Sequence, residues 1–151
     1  MGLFDRLTGT KYPQSEVPSL PSTELRAALL ALNGPDVPWV VRHATAKEGG
    51  DLVAEWRVPE LRLRLRTRML LVPADREVRA LQERWEARSG ERSYGRGPAT
   101  TVSRQWRYER GEDGRRHKVE TFRFDSRQMR DPLRDTVLGA GWTWRGRLFR
   151  M

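Results

Sequence analysis

The chain predicts an α+β fold: an antiparallel β-sheet of about six or seven strands built from hairpins, with two helices packed on one face. Three observations carry the prediction. Leu61-Arg62-Leu63-Arg64-Leu65-Arg66-Thr67-Arg68 alternates apolar and basic residues with a period of two, which in a strand gives one greasy and one arginine face. Two glycine turns, Lys47-Glu48-Gly49-Gly50 and Gly111-Glu112-Asp113-Gly114, are each bracketed by β-favouring runs. Two short stretches, by contrast, place their apolar residues at helical spacing.

Residues Met1 to Leu7 read as a short amphipathic turn with Leu3, Phe4 and Leu7 on one side, and Gly9, Pro13, Pro18 and Pro21 forbid regular structure after it. Residues 1–21 are therefore an arm and linker, and residues 22–151 a single domain. Ser22 is placed to cap a helix over Thr23 to Leu32 with Leu25, Leu29 and Leu32 on its apolar side, stopped by Asn33-Gly34-Pro35. Trp39 to Thr45 and Leu52 to Val58 form the first hairpin, and Leu52, Ala54, Trp56 and Val58 share a face.

The alternating segment extends to Val72 as a third strand whose last residues are apolar on both faces, so that end should lie under other structure. Pro73-Ala74-Asp75 turns the chain. Glu77 to Arg88 fits a helix by the spacing of Val78, Leu81 and Trp85 and by propensity, whereas the tight connection favours a strand returning along the third. The glycines and serines of Ser89 to Pro98 read as an exposed loop. Thr101 to Arg110 and His117 to Phe124 form the second hairpin, with Val102, Trp106 and Tyr108 on one face. Asp131-Pro132 reads as the start of a helix over Pro132 to Leu138, with Leu133, Val137 and Leu138 buried and Gly139 closing it. Trp142, Trp144 and Leu148 alternate in a last strand. The two halves of the chain share a faint order of glycine-ended helix, tryptophan and strand, too weak to be a repeat.

Several phrases are distinctive in combination: Asp51-Leu52-Val53-Ala54-Glu55-Trp56-Arg57, Glu77-Val78-Arg79-Ala80-Leu81 with Trp85, Phe122-Arg123-Phe124-Asp125, and Gly139-Ala140-Gly141-Trp142-Thr143-Trp144-Arg145-Gly146. In these the chain, from about Thr23 onward, resembles a family of small uncharacterised actinobacterial proteins with no assigned activity. The resemblance implies a folded bacterial cytoplasmic protein and a strand over 77–88. It carries no site residues.

The 151 residues are enough for one real core, and 29 Lys and Arg against 20 Asp and Glu give a net charge of +9. Asp5 and Glu16 offset Arg6 and Lys11, so this excess belongs to the body of the chain. Only Lys11, Lys47 and Lys118 are lysines, and the remaining basic residues are arginines, whose planar forks suit carboxylates and phosphates. A GC-rich genome would produce the same bias. Without cysteine there is no thiol nucleophile, disulfide or thiolate zinc site. No apolar run has the length of a membrane span and no leader is recognisable, so a cytoplasmic location without integral membrane association is expected.

No motif names an activity. Gly139-Ala140-Gly141 lacks the third glycine of a dinucleotide loop and ends a helix where such a loop would open one. His43 and His117 stand alone, without His or Cys at ligand spacing. Asp131 and Asp135 lie one helical turn apart, but Arg127, Arg130 and Arg134 among them favour ion pairing. No catalytic, cofactor-binding or metal residues are therefore expected. Glu55, opposite in facing to Trp56, would be an acid or base if buried alone, with a cavity beside it serving a small enzyme or ligand carrier; pairing with Arg64 or Arg66 is the plainer reading. Trp56, Trp106, Trp142 and Trp144 read as core, and Trp144, beside Arg145 and Arg147, is the candidate for an exposed exception.

The expected function is a non-catalytic binding or interaction protein with a basic surface, its contact residues being Arg62, Arg64, Arg66, Arg145 and Arg147. The arginine face has three readings: single-stranded nucleic-acid binding, docking of an acidic protein, and cross-strand pairing with Glu55, Glu60, Glu83, Glu86 and Glu120. Leu3, Phe4 and Leu7 have two: docking on a partner or lipid surface, or a latch onto the domain itself. Partner identity and oligomeric state are not encoded in any motif.

Overall fold

The computed structural model describes residues 2–88 and 90–149. The first hairpin forms as predicted: β1 (Val40–His43) and β2 (Leu52–Val58) are antiparallel, with Val40 opposite Glu55. β3 (Leu63–Val72) follows through a single 3-10 turn, Pro59–Leu61, that ends on Arg62 in the left-handed region at φ 48°. Leu61 and Arg62 thus belong to the turn, and the alternating ladder begins two residues later than the sequence pattern suggests. A matching 3-10 turn at Pro73–Asp75 leads into β4 (Glu77–Arg88), which runs back along all of β3 from Leu63 opposite Glu86 to Val72 opposite Glu77. The helical spacing of 77–88 yields here to the tight turn, which leaves no room for a helix to swing away.

The expected loop at 89–98 is a strand, β5 (Glu91–Arg96), paired with the second half of β4; Ser89 lies outside the described residues. Gly90 and Gly97 supply the positive φ values that bound it, at 85° and 109°. Tyr94 stacks on Trp85 at 5.1 Å between ring centroids, a contact that the run of small and polar residues around it conceals. The first half of β4 takes a different neighbour: β8 (Thr143–Arg147) pairs with it in parallel, through Val78 opposite Trp144. β8 is the one parallel member of the six-stranded sheet, because the preceding helix carries the chain back across the sheet.

Three helices accompany the sheet: α1 (Leu3–Thr8), α2 (Ser22–Leu30) and α3 (Arg127–Gly139). Pro21, not Ser22, occupies the N-cap of α2, without a side-chain cap bond. The helix ends at Leu30, two residues short of the predicted Leu32, and the predicted stop at Asn33 still fixes the chain beyond it. The Asn33 amide accepts from the Val41 N–H at 2.8 Å and donates to the Val41 carbonyl at 2.7 Å, tying the helix exit to β1. α3 begins five residues before Pro132, which lies inside it. Burial of Met129 explains the earlier start, since Met129, Leu133 and Val137 form one stripe at i, i+4, i+8, and the Asp125 carboxylate accepts the Arg127 N–H in the role assigned to Asp131.

Leu25 and Leu29 of α2 and the α3 stripe cover the apolar face of the sheet, where Leu52, Ala54, Trp56, Leu65, Met69, Leu71, Val78 and Trp144 are buried. Trp144, the candidate exposed tryptophan, is therefore core. The arm latches onto the edge at β8: Lys11 and Trp144 exchange two backbone hydrogen bonds of 2.9 Å, Thr8 and Thr10 are buried, and the Trp142 indole donates to the Leu20 carbonyl. Its apolar residues do not make this latch, since Leu3, Phe4 and Leu7 face solvent. Among the described residues no helix is long and apolar enough to cross a membrane.

Candidate nucleic-acid interface

The arginine face of the sheet is a network of ion pairs. Arg64 Nε binds Glu55 at 2.7 Å; Arg66 lies 3.0 Å from Glu83 and 3.4 Å from Glu48; Arg68 Nε binds Glu83 at 2.8 Å. Arg42 grips Glu48 through two nitrogens at 2.7 and 2.8 Å and reaches Glu55 at 3.2 Å. Arg64 and Arg66 also lie over the Trp85 ring, at 4.8 and 4.9 Å. Val53 and Leu81, which flank Arg68 in register, are fully buried on this face, the long arginine stems serving as a cover.

Arg42 holds the Glu48 carboxyl down to about 2 against the opposing effect of burial. Burial pushes the Glu55 carboxyl up, but hydrogen bonds from Arg42 and Arg64 overcome it and leave the group below the usual carboxylate range. Glu55 accordingly lacks the raised pKa that an acid or base role at this position calls for, and three arginines, Arg42, Arg57 and Arg64, surround it.

The predicted contact residues are thus dispersed. Arg64 and Arg66 are tied into the network. Arg145 binds Glu77 at 3.0 Å and lies 3.7 Å from Asp5, while Arg147 continues β8 opposite Leu81. Arg62 differs: exposed on its left-handed turn and without an ion pair among the described residues, it borders a cleft of about 430 Å³ with Arg57, Arg64, Trp85 and Arg92.

The unpaired positive charge gathers on the second hairpin. β6 (Val102–Arg110) and β7 (Arg116–Asp125) form a separate two-stranded ribbon. Only its root joins the core: Phe124 packs on Trp56 with ring centroids 4.7 Å apart, and Phe122 lies partly buried beside it. Val102, Arg104, Trp106, Tyr108 and Arg110 alternate onto one face of β6. Opposite them stand Arg123 (facing Arg104), Glu120 (facing Trp106), Lys118 (facing Tyr108) and Arg116 (facing Arg110), a bulge at Thr121 keeping the two strands in phase.

This face holds exposed aromatic rings between cations. Trp106 is 43% exposed and Tyr108 68%, which corrects the core assignment of Trp106. Lys118 Nζ lies 4.6 Å over the Trp106 ring. Arg123 is neutralised by Glu120 at 2.7 Å, but Arg104, Arg110 and Arg116 have no carboxylate partner among the described residues. Arg104 opposite Arg123 and Arg110 opposite Arg116 are like charges in direct register, an arrangement that destabilises an isolated ribbon. A two-stranded ribbon solvated on both faces is itself marginal in water.

Sequence reasoning overlooked Arg104, Arg110, Arg116 and Lys118. One signal was present: neither alternating set of β6, Val102-Arg104-Trp106-Tyr108-Arg110 or Ser103-Gln105-Arg107-Glu109, is consistently apolar, so the strand has no core face. His117 instead pairs with Asp113 in the hairpin turn, at 2.9 Å, and no group of three or more His, Asp or Glu side chains suited to a metal occurs among the described residues. No family model, no curated protein and no solved structure matches the chain.

Proposed function

We propose that the chain is a non-catalytic binding protein that holds single-stranded nucleic acid on the basic, aromatic face of its β6–β7 ribbon. The observation that carries this reading is Arg110 directly opposite Arg116, without a carboxylate, next to the exposed Tyr108 and Trp106 rings. A polyanion laid along the ribbon relieves the repulsion of these facing cations. Exposed rings add stacking, which unpaired bases offer and a closed duplex withholds. The Arg62 and Arg92 cleft extends the same chemistry at the end of the main sheet. An acidic protein would meet the charges, but cations alternating with exposed rings match the phosphates and bases of a single strand group for group. This reading also places the protein in the cytoplasm, as the resemblance implies.

Fluorescence anisotropy with a labelled oligo(dT) or oligo(U) strand tests it. Four unpaired cations give an expected slope of log K against log salt of about −3, from ~0.7 per phosphate neutralised on a single strand. Arg104→Gln, Arg110→Gln and Arg116→Gln together should reduce that slope by about 2. Absence of binding at low salt, or equal binding to duplex and single strand, would overturn the proposal. Polyglutamate competing as well as oligonucleotide would instead indicate an acidic protein partner.

A further inference from the structure

Beneath the main sheet, between its core face and the start of α3, lies a half-enclosed cavity of about 50 Å³. That is more than the ~10–15 Å³ one water requires, and it suits a few waters or one compact oxyanion. The surrounding polar groups discriminate between these occupants. Thr67 and Gln82 face each other across β3 and β4 on the core side of the sheet, and Arg84, opposite Leu65, shares that side.

Thr67 is 2% exposed, and its hydroxyl has no hydrogen-bond partner among the described residues. Among the described residues no fully enclosed side-chain polar atom lacks a partner, so the Thr67 hydroxyl keeps part of that residue's small exposure, and Thr67 lines the cavity. The Gln82 amide is likewise unpartnered. Ser126 Oγ accepts the Thr101 N–H at 2.9 Å, which leaves its own proton to give. Arg84 donates to Thr101 Oγ1 at 3.1 Å and has no carboxylate; its guanidinium lies across Gly95, where a Cβ would come within 3.5 Å of Nη2. Arg130 adds a second guanidinium, shared with Asp131 at 3.1 Å. Glu83 also borders the cavity, but its carboxylate is engaged by Arg66 and Arg68 on the other face of the sheet.

The wall is therefore rich in donors, and its one carboxylate residue, Glu83, is committed to arginines on the opposite face of the sheet. We infer that this cavity is a binding site for a small oxyanion, a phosphoryl, sulfate or carboxylate group, held by Arg84 with Thr67, Gln82 and Ser126 donating to its oxygens. The site does not depend on the ribbon's function. An anion there would neutralise Arg84 and use donors that water, itself half donor, satisfies less completely.

The test is calorimetric titration of the full chain with inorganic phosphate, sulfate and acetate, at constant ionic strength set with chloride, together with melting temperatures. Saturable binding is expected for at least one of the three, and which one distinguishes a tetrahedral from a carboxylate ligand. Arg84→Gln should weaken it about tenfold or more, and the near-isosteric Thr67→Val about tenfold, each by loss of a hydrogen bond to a charged group. Arg110→Gln/Arg116→Gln should leave it unchanged. Should Arg84→Gln fail to fold, Thr67→Val decides. No binding by any of the three anions, or equal binding in Thr67→Val and wild type, would overturn the site, as would loss of binding in the ribbon variant.

Discussion

Glu83→Gln tests the arginine face as a structural network. Glu83 is 3% exposed at its side chain and accepts from Arg66, Arg68 and the Tyr94 hydroxyl. Glutamine keeps the volume and removes the charge, so no cavity contributes. The glutamine carbonyl oxygen can still accept from Arg66 and Arg68, but the one carboxylate left to either is Glu48, 3.4 Å from Arg66, while Arg68 also keeps its bond to the Glu48 carbonyl. Breaking a buried pair by removing one partner costs about 3–5 kcal/mol, because the remaining charge stays desolvated. Arg66 and Arg68 are 16% and 17% exposed and keep neutral or distant acceptors, which places the expected loss at the lower end, about 3 kcal/mol. For a chain of this size that is a melting-temperature drop of roughly 6–12 °C. Urea denaturation at pH 7 measures the free energy directly. Glu109→Gln is the control: its partner Arg107 and Glu109 itself are exposed on the ribbon, and its loss should cost about 0.5 kcal/mol or less. A Glu83→Gln loss under about 1 kcal/mol, or one equal to the control, would refute the claim that this face is held by desolvated pairing.

The same network sets the acid limit of stability. Glu48, Glu55 and Glu77 are all lower in the folded state than the ordinary 4.5, with Glu48 at about 2, so the unfolded chain binds protons more readily. Their contribution is complete above about pH 5 and should disappear between about pH 4.5 and 2, seen as a falling urea midpoint that Glu48→Gln makes shallower. Trp106→Ala should weaken oligonucleotide binding by about 1–3 kcal/mol, the worth of one stacked base, with no change in salt slope; an altered slope would assign Trp106 to positioning the cations. Gly146→Ala should detach the arm, since a Cβ there overlaps the Thr8 carbonyl. Hydrogen exchange at Lys11 and Trp144, whose amides now bond each other's carbonyls, should accelerate, while β3 and β4 stay protected.

The sequence by itself determined what local periodicity and turn chemistry control. Alternation in 61–68, the glycine turns at 47–50 and 111–114, and the leucine spacing of 23–32 each specify an element from neighbours a few residues away, and each element is found, with the strand starting two residues late at Leu63 and the helix ending two residues early at Leu30. That Glu55 pairs with an arginine of the next strand was legible for the same reason, but the register puts Arg66 directly opposite and the ion pair forms with the diagonal neighbour, Arg64. The fate of the tryptophans was settled only by tertiary structure. Trp144 and Trp106 occupy similar alternating strands, yet one lies beneath α3 on a sheet sealed by the arm and the other stands on a ribbon that nothing covers. Burial depends on which surfaces the chain brings together over long separations, and no local pattern records that. The same holds for charge: arginine is abundant throughout, but only the folded register separates the arginines that meet glutamate from Arg104, Arg110 and Arg116, which meet none.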